Sequence, residues 1–148
     1  MGDLFVNKQN ARPGVYEDAI NRIAKESVCP FCPEHLAEFH KRPMERGTYW
    51  IATENMYPYT PSKQHVMFIH IEHINHIGEI SPEAWAELGM LVREQTAKRD
   101  IAGGTFYLRF GDTRFTGASV THLHANIIQS DPDDASYDPK KGLWTRVG

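Results

Sequence analysis

The sequence predicts an α+β fold in which helices pack on an antiparallel sheet. Segments with helical apolar spacing alternate with pairs of strand-like segments, in the order helix, hairpin, helix, hairpin. The 148 residues, 41% hydrophobic and 24% charged, have the composition of one globular domain with a single substantial core. We therefore expect one domain over residues 15–130, between an N-terminal arm at 1–14 and a polar C-terminal tail at 131–148.

Three helices are predicted from apolar spacing and from capping residues. The spacing of Ile20 and Ile23 indicates a short amphipathic helix, and Pro33 suits the first position of a second helix. The third helix starts at Ser81, whose hydroxyl can cap it, and ends near Asp100 because two glycines follow. Its buried face is predicted to consist of apolar residues at helical spacing: Trp85, Leu88, Leu91 and Val92.

Four segments have the composition or the alternation of strands. Aromatic and β-branched residues predict strands at 48–53 and 65–71, which a turn-prone loop joins into a hairpin. Residues 105–110 alternate, and residues 120–128 follow with a period of two. The last strand thus has a polar face of His122, His124 and Asn126 and an apolar face of Leu123, Ala125 and Ile127.

Charge, hydropathy and cysteine content exclude several classes of protein. The net charge is −3 and both signs are mixed along the chain, so no basic stripe is available to follow a polynucleotide backbone. The N-terminus lacks a basic segment followed by an apolar run, and no stretch of about 18 apolar residues occurs. Because the chain has only two cysteines, its composition favours a reducing cytosol. We expect a cytoplasmic protein that binds neither a membrane nor a polynucleotide.

The polar face of the last strand is the sharpest chemical feature. A rigid strand can hold the imidazole of His124 for in-line attack on phosphorus while its neighbours fix the tautomer and bind phosphate oxygens. The backbone N–H at Gly117 can approach an anion, and Ser119 can donate a hydrogen bond to a nonbridging oxygen or to the leaving group. Alternatively, His122 and His124 are hydrogen-bonded partners within a half-buried sheet.

Cys29 and Cys32 have the spacing of a metal-binding knuckle near the N-terminus. Two thiolates separated by two residues can bind one zinc ion, and a structural zinc needs two further ligands. The histidines that can complete the site form a local pair and a long-range pair: His35 with His40, and His73 with His122. Two reduced core cysteines are the alternative, and a redox pair is less favoured because no thioredoxin-like pattern surrounds them.

The loop after the first hairpin strand supplies candidate nucleotide contacts. Asn55 can hydrogen-bond a ribose, and Tyr57 or Tyr59 can stack on a base, although these residue types also form ordinary turns. Arg109 and Arg114 flank the loop before the last strand, where they can neutralise phosphates or stay solvated.

Three segments together resemble the histidine triad (HIT) superfamily. Residues 117–128 read Gly-Ala-Ser-Val-Thr-His-Leu-His-Ala-Asn-Ile-Ile and resemble the family signature, in which histidines alternate with apolar residues after a small-residue loop. Residues 65–74 are similar to the family's strand with a histidine at each end, and Ser81-Pro82-Glu83 to the start of its next helix. The resemblance covers about residues 16–129. It implies a HIT-like fold with an antiparallel sheet of about five strands, helices packed on that sheet and a zinc knuckle.

The resemblance also implies roles for individual residues. His124 matches the histidine that becomes covalently nucleotidylated, and Ser119 matches the hydroxyl that contacts the phosphate or the leaving group. Asn55 falls at the ribose-binding position, and His65 matches the histidine that supports the triad from the hairpin. In zinc-bearing members two histidines complete the CxxC pair, and the matching residues are His73 and His122. The resemblance thus favours the long-range site and a structural zinc cofactor.

Two departures from the family pattern concern the reaction. Asn126 stands at the third triad position, where hydrolase branches carry His and transferase branches often carry Gln nearby. An amide can orient His124 or bind a phosphate oxygen, but it cannot shuttle a proton. Arg109 precedes Phe110-Gly111 where many members have an Asn before the glycine, so we expect Arg109 to bind phosphate.

Residues and resemblance together predict a nucleotidyl transferase or hydrolase. It would act on the α-phosphate of a nucleotide conjugate through a covalent nucleotidyl intermediate on His124. The expected substrates are a dinucleoside polyphosphate, a nucleoside phosphoramidate or a nucleotide sugar. Because family members commonly form two-fold dimers, the resemblance implies a homodimer. The alternatives are a nucleotide-binding or sensing module with weak or no turnover, and a catalytic metal held by His122, His124 and one further ligand.

Overall fold

A computed structural model describes residues 5–148, so residues 1–4 of the predicted arm lie outside it. The elements in chain order are α1 (Val15–Glu26), α2 (Pro33–Phe39), β1 (Met44–Arg46), β2 (Trp50–Glu54), β3 (Ser62–His70), α3 (Pro82–Lys98), β4 (Thr105–Arg109) and β5 (His124–Ser130). The five strands form one antiparallel sheet in the order β1-β2-β3-β5-β4. The predicted α+β class with an antiparallel sheet is confirmed. No described helix is long and apolar enough to cross a membrane.

The main core lies between α3 and one face of the sheet. The hydroxyl of Ser81 accepts a hydrogen bond from the backbone N–H of Ala84, which caps the first turn of α3 as predicted. Ala84 and Leu88 are fully buried against alternate residues of three strands: Trp50, Ala52, Val66, Phe68, Ala125 and Ile127. Each large apolar side chain in this layer contributes about 1.5–3 kcal/mol by burial.

The two N-terminal helices lie on the opposite side of the molecule from this core. Ile20 of α1 packs in a buried cluster with Val6 and Val120. Leu36 of α2 packs against Met67 and other residues of the second sheet face. Since side chains alternate along a strand, this second face also carries the polar residues of β5.

Three details differ from the sequence-based expectation. β5 begins at His124 rather than at residue 120, because the preceding backbone leaves the sheet and Leu123 donates its N–H to Ile74. β1 was not predicted because its three residues are all exposed and show no alternation. Trp85 is exposed rather than buried, since the stripe of α3 that faces the core runs through Leu88 and the buried Gln95.

The described part of the N-terminal arm packs on the loop that precedes β5. Val6 forms a bridge with Val120, and the N–H of Asn7 donates to the carbonyl of Ser119 over 2.8 Å. The side-chain amide of Asn10 donates to the carbonyl of Ala118 over 2.7 Å. The arm therefore holds the loop from which the candidate site is built.

Candidate functional site

Four side chains converge between the knuckle and the sheet. The ligand atoms of Cys29, Cys32, His73 and His122 all lie within 4.8 Å of one another. The Nδ1 atoms of His73 and His122 are 3.2 Å apart, and the Cys29 and Cys32 sulfurs lie 3.3 and 3.7 Å from Nδ1 of His122. Sγ of Cys32 lies 3.3 Å from Nδ1 of His73.

These distances fit a tetrahedral zinc ion. Zn–N bonds of about 2.05 Å and Zn–S bonds of about 2.3 Å place two nitrogens about 3.3 Å apart and nitrogen and sulfur about 3.6 Å apart. Nε2–H of His122 donates to the carbonyl of His70 over 2.6 Å, which leaves the Nδ1 lone pair for a metal. All four positions of such a site would be filled by protein, as in a structural zinc centre.

The local completion of the zinc site is not formed. Nε2 of His40 lies 2.7 Å from the hydroxyl of Thr53 instead, and burial lowers the pKa of His40. His35 belongs to no group of metal-ligating side chains within residues 5–148. The donor set is therefore the long-range one, which ties the knuckle before α2 to the sheet.

His124 is the first residue of β5 and is half-buried. Its Nδ1–H donates to the carbonyl of His122 over 2.8 Å, so Nε2 is left with the lone pair. The ring of Phe31 packs edge-on against it, with centroids 5.0 Å apart. Burial lowers the pKa of His124 to about 4, which makes the ring neutral at pH 7.

The small-residue loop approaches His124 from the N-terminal side of β5. The hydroxyl of Ser119 is hydrogen-bonded to that of Tyr16 on α1. A Cβ at Gly117 would lie 2.6 Å from the carbonyl oxygen of Arg146, so only glycine allows the C-terminal tail to pass this closely. The N–H of Gly117 donates to the carbonyl of Val147 over 3.2 Å.

His65 connects Asn126 to the hairpin loop. The N–H of Tyr59 donates to Nδ1 of His65 over 3.2 Å, so Nε2 carries the ring proton and donates to Oδ1 of Asn126 over 3.0 Å. Burial lowers the pKa of His65 to about 4. Asn55 accepts the N–H of Tyr57 over 2.7 Å, and its Nδ2 lies 3.3 Å from Nε2 of His65.

Two hollows meet at His124. An apolar hollow is lined mainly by apolar side chains from the two N-terminal helices and from the loops beside them, including Ile20, Ile23, Pro30, Phe31 and Phe39. A polar hollow is lined by Ser119, Asn126, His65, Arg109 and Gly117, among others. Tyr16, Asn55 and His124 line both hollows.

The polar hollow contains residues that sequence reasoning missed. Arg12, Tyr16 and Tyr107 line it, and only the docked arm, α1 and the pairing of Tyr107 with Asn126 bring them there. No local sequence signal marks Arg12, because its position depends on contacts made far away in the chain. Arg114, by contrast, is exposed and paired with Asp112 over 2.5 Å, and it lines neither hollow.

No family model matches the sequence, and neither does any curated protein. Solved structures do match. A hypothetical histidine triad nucleotide-binding protein from Sulfolobus tokodaii has a TM-score of 0.57 and 21% identity, and the match covers 79% of this chain and 82% of that one. A HIT family hydrolase from Clostridium thermocellum has a TM-score of 0.54 and 18% identity, with 68% and 90% covered.

A zinc-bound histidine triad family protein from Mycobacterium smegmatis has a TM-score of 0.51 and 18% identity. The match covers 70% of this chain and 78% of that one. At these low sequence identities, the structural similarity establishes the fold alone. The chain therefore has the fold of the histidine triad proteins.

Proposed function

We propose that this protein is a HIT-type nucleotidyl transferase or hydrolase that forms a covalent nucleotidyl intermediate on His124. The observation that carries the proposal is the position of this imidazole, which lines both an apolar and a polar hollow. Its Nε2 lone pair is available because Nδ1–H is held by the His122 carbonyl.

The two hollows suggest how a nucleotide conjugate would bind. The base would enter the apolar hollow beside Ile23 and Phe39, where burial of its rings is favourable. Asn55 lines both hollows, which suits a ribose between base and phosphate. The α-phosphate would then lie beside His124, and the remainder of the conjugate would extend into the polar hollow.

The reaction would have two steps. Nε2 of His124 attacks the α-phosphorus, the bond to the leaving group breaks, and its electron pair leaves with that group. A water, phosphate or phosphorylated acceptor then attacks the same phosphorus, and the P–N electron pair returns to Nε2. Where water is the acceptor, the proton that it loses passes to solvent. The hydroxyl of Ser119 would donate to a phosphate oxygen or to the leaving group.

Asn126 would bind rather than transfer protons. Its Oδ1 accepts from His65, so its Nδ2 is the atom that would donate to a phosphate oxygen.

The zinc site would stiffen the fold beside His124, because His122 is both a predicted metal ligand and the residue whose carbonyl holds the nucleophile. Zinc-bound thiolates fit a reducing compartment, so the proposal includes a cytoplasmic location.

A homodimer formed through α3 and β4 is part of the proposal. β4 is an edge strand, and Phe106 on it is 46% exposed. Met90 on α3 is 61% exposed. Light scattering should give the mass of two chains for the native protein and of one chain for Phe106→Lys; a monomeric native protein contradicts this part.

Phosphorus NMR tests the proposed activity. Nucleotide conjugates with different bases and leaving groups are incubated with native protein, with and without added phosphate. We expect nucleotide release by the native protein and by the control His35→Ala, and none by His124→Gly. Binding of nucleotide without turnover of any conjugate would favour the sensing module. A chelator that abolishes turnover reversibly at a temperature where the fold persists would favour a catalytic metal.

A further inference from the structure

The polar hollow has an unbalanced charge. Among the residues of the described range 5–148 that line it, two are arginines, Arg12 and Arg109, and none is an aspartate or a glutamate. Neither arginine forms an ion pair with a carboxylate within the described part of the chain. Both are half-buried. A partly desolvated pair of cations without a counter-charge is costly unless an anion binds between them.

Arg12 is held in place by aromatic rings and by carbonyl oxygens. Its guanidinium lies 4.2 Å from the ring centroid of Tyr59 and 4.9 Å from that of Tyr16. It donates to the carbonyl of Tyr57 over 2.5 Å. Tyr59 in turn stacks on His65, with centroids 5.3 Å apart. The guanidinium is therefore preorganised at the hollow, and no carboxylate of residues 5–148 pairs with it.

Arg109 lies beside the nucleophile. It is the residue of β4 that pairs directly with His124 of β5, so the two side chains leave the sheet on the same face. Its guanidinium donates to Thr145 over 2.9 Å and to the carbonyl of Arg146 over 2.5 Å, both in the C-terminal tail. These neutral acceptors orient the guanidinium, and no carboxylate in the described part of the chain compensates its charge.

The neighbouring groups respond to this positive potential. Burial alone would raise the pKa of the Tyr59 hydroxyl, yet its pKa is lowered because of the hydrogen bond to Thr145 and the charges of Arg109 and Arg12. The lowered pKa of Tyr59 agrees with the excess of positive charge along the polar hollow.

We propose that Arg12 and Arg109 form a subsite for a phosphorylated leaving group, which makes phosphoanhydrides, rather than amine-linked nucleotides, the substrate class. This inference rests on the proposed function. The bridging P–O bond breaks, its electron pair stays on the departing phosphate, and the two guanidiniums stabilise the added negative charge. A departing amine would need a proton, and Asn126 at the third triad position cannot supply one. A phosphate departs without it.

Matched substrates test the subsite. For a nucleoside accepted in the turnover assay, kcat/KM is measured for the anhydride with a second nucleotide and for the phosphoramidate of a neutral amine. In Arg12→Met and Arg109→Met, kcat/KM for the anhydride divided by kcat/KM for the phosphoramidate should fall by about 10- to 100-fold. Arg12→Lys should restore part of the ratio, and the exposed control Arg114→Met should leave it unchanged. An equal loss on both substrates, or no loss, overturns the subsite.

Pyrophosphate binding separates this inference from the proposed function. Calorimetry with inorganic pyrophosphate needs no turnover, so it reports on the subsite even if no conjugate is cleaved. Native protein and Arg114→Met should bind pyrophosphate, with affinity lowered about 10-fold or more in Arg12→Met. Circular dichroism verifies that each variant is folded. Arg12→Met is the cleaner variant because the hydrogen bonds of Arg12 within the described residues go to the hairpin loop, whereas those of Arg109 go to the tail. Absence of pyrophosphate binding by the native chain overturns the proposal.

Discussion

Replacing His73 by alanine should remove the stabilising effect of zinc while hardly changing the metal-free protein. His73 is the exposed member of the four candidate ligands, and the other three are buried. Its ring contacts that of Phe5 at a centroid distance of 5.5 Å. Truncating an exposed ring leaves no cavity in the core, so the loss should come from the metal.

The size of the effect follows from mass action. Zinc that binds only the folded chain raises the free energy of unfolding by about 2.7 kcal/mol when its free concentration is 100 times Kd. For a domain of this length, 1 kcal/mol changes Tm by about 2–4 °C. Removing zinc from the native protein should therefore lower Tm by about 5–11 °C.

Thermal unfolding with zinc and with excess chelator measures this difference. His73→Ala should lose most of the difference between the two conditions, and its Tm in chelator should match that of the native protein. His35→Ala, which removes a ligand of the local alternative, should retain the full difference. A native Tm that is insensitive to chelator, or a loss of sensitivity in His35→Ala, would refute the long-range site.

Three other predictions concern parts of the fold that support the site. The carboxylate of Glu87 accepts three backbone N–H groups, from residues 48, 49 and 50, so Glu87→Gln should lower the free energy of unfolding in urea by about 1–2 kcal/mol, against no change for the exposed Glu94→Gln. Burial lowers the pKa of His65 from 6.5 to about 4, so the unfolded chain binds this proton at a higher pH than the folded chain does. The free energy of unfolding should therefore fall from pH 6.5 toward pH 4 by up to about 1.4 kcal/mol per pH unit. Urea titrations over this pH range measure the slope, and a native slope in His65→Gln would contradict the prediction. Asn10→Ala should lower kcat while hardly changing Tm, because Asn10 holds the Ser119 loop through the carbonyl of Ala118. Steady-state kinetics measure the effect, and an unchanged kcat would contradict this role of Asn10.

Elements with strong local signals could be predicted from the sequence. The Ser81 cap and the spacing of Ile20 and Ile23 act within one or two helical turns, and α1 and α3 form where these signals occur. β1 has three exposed residues and exists because β2 offers its free edge to them. Its formation depends on tertiary pairing, which local composition does not report.

The candidate site likewise contains residues that local patterns mark and residues that only distant contacts bring there. His124 and Asn126 alternate along one strand, and Cys29 and Cys32 are spaced as a knuckle, so short-range patterns marked them. Arg12 reaches the polar hollow only because the arm docks on the loop before β5 through the bridge of Val6 with Val120. No local motif encodes a contact between segments as far apart in the chain as Val6 and Val120.

The most direct measurement is mass spectrometry of the protein after brief incubation with a cleavable nucleotide conjugate. A single nucleotidyl group should be found on the peptide that contains His124, its bond should be acid-labile as a phosphorus–nitrogen bond is, and His124→Gly should carry none. A label on another residue, or an equal label in His124→Gly, would contradict the central claim.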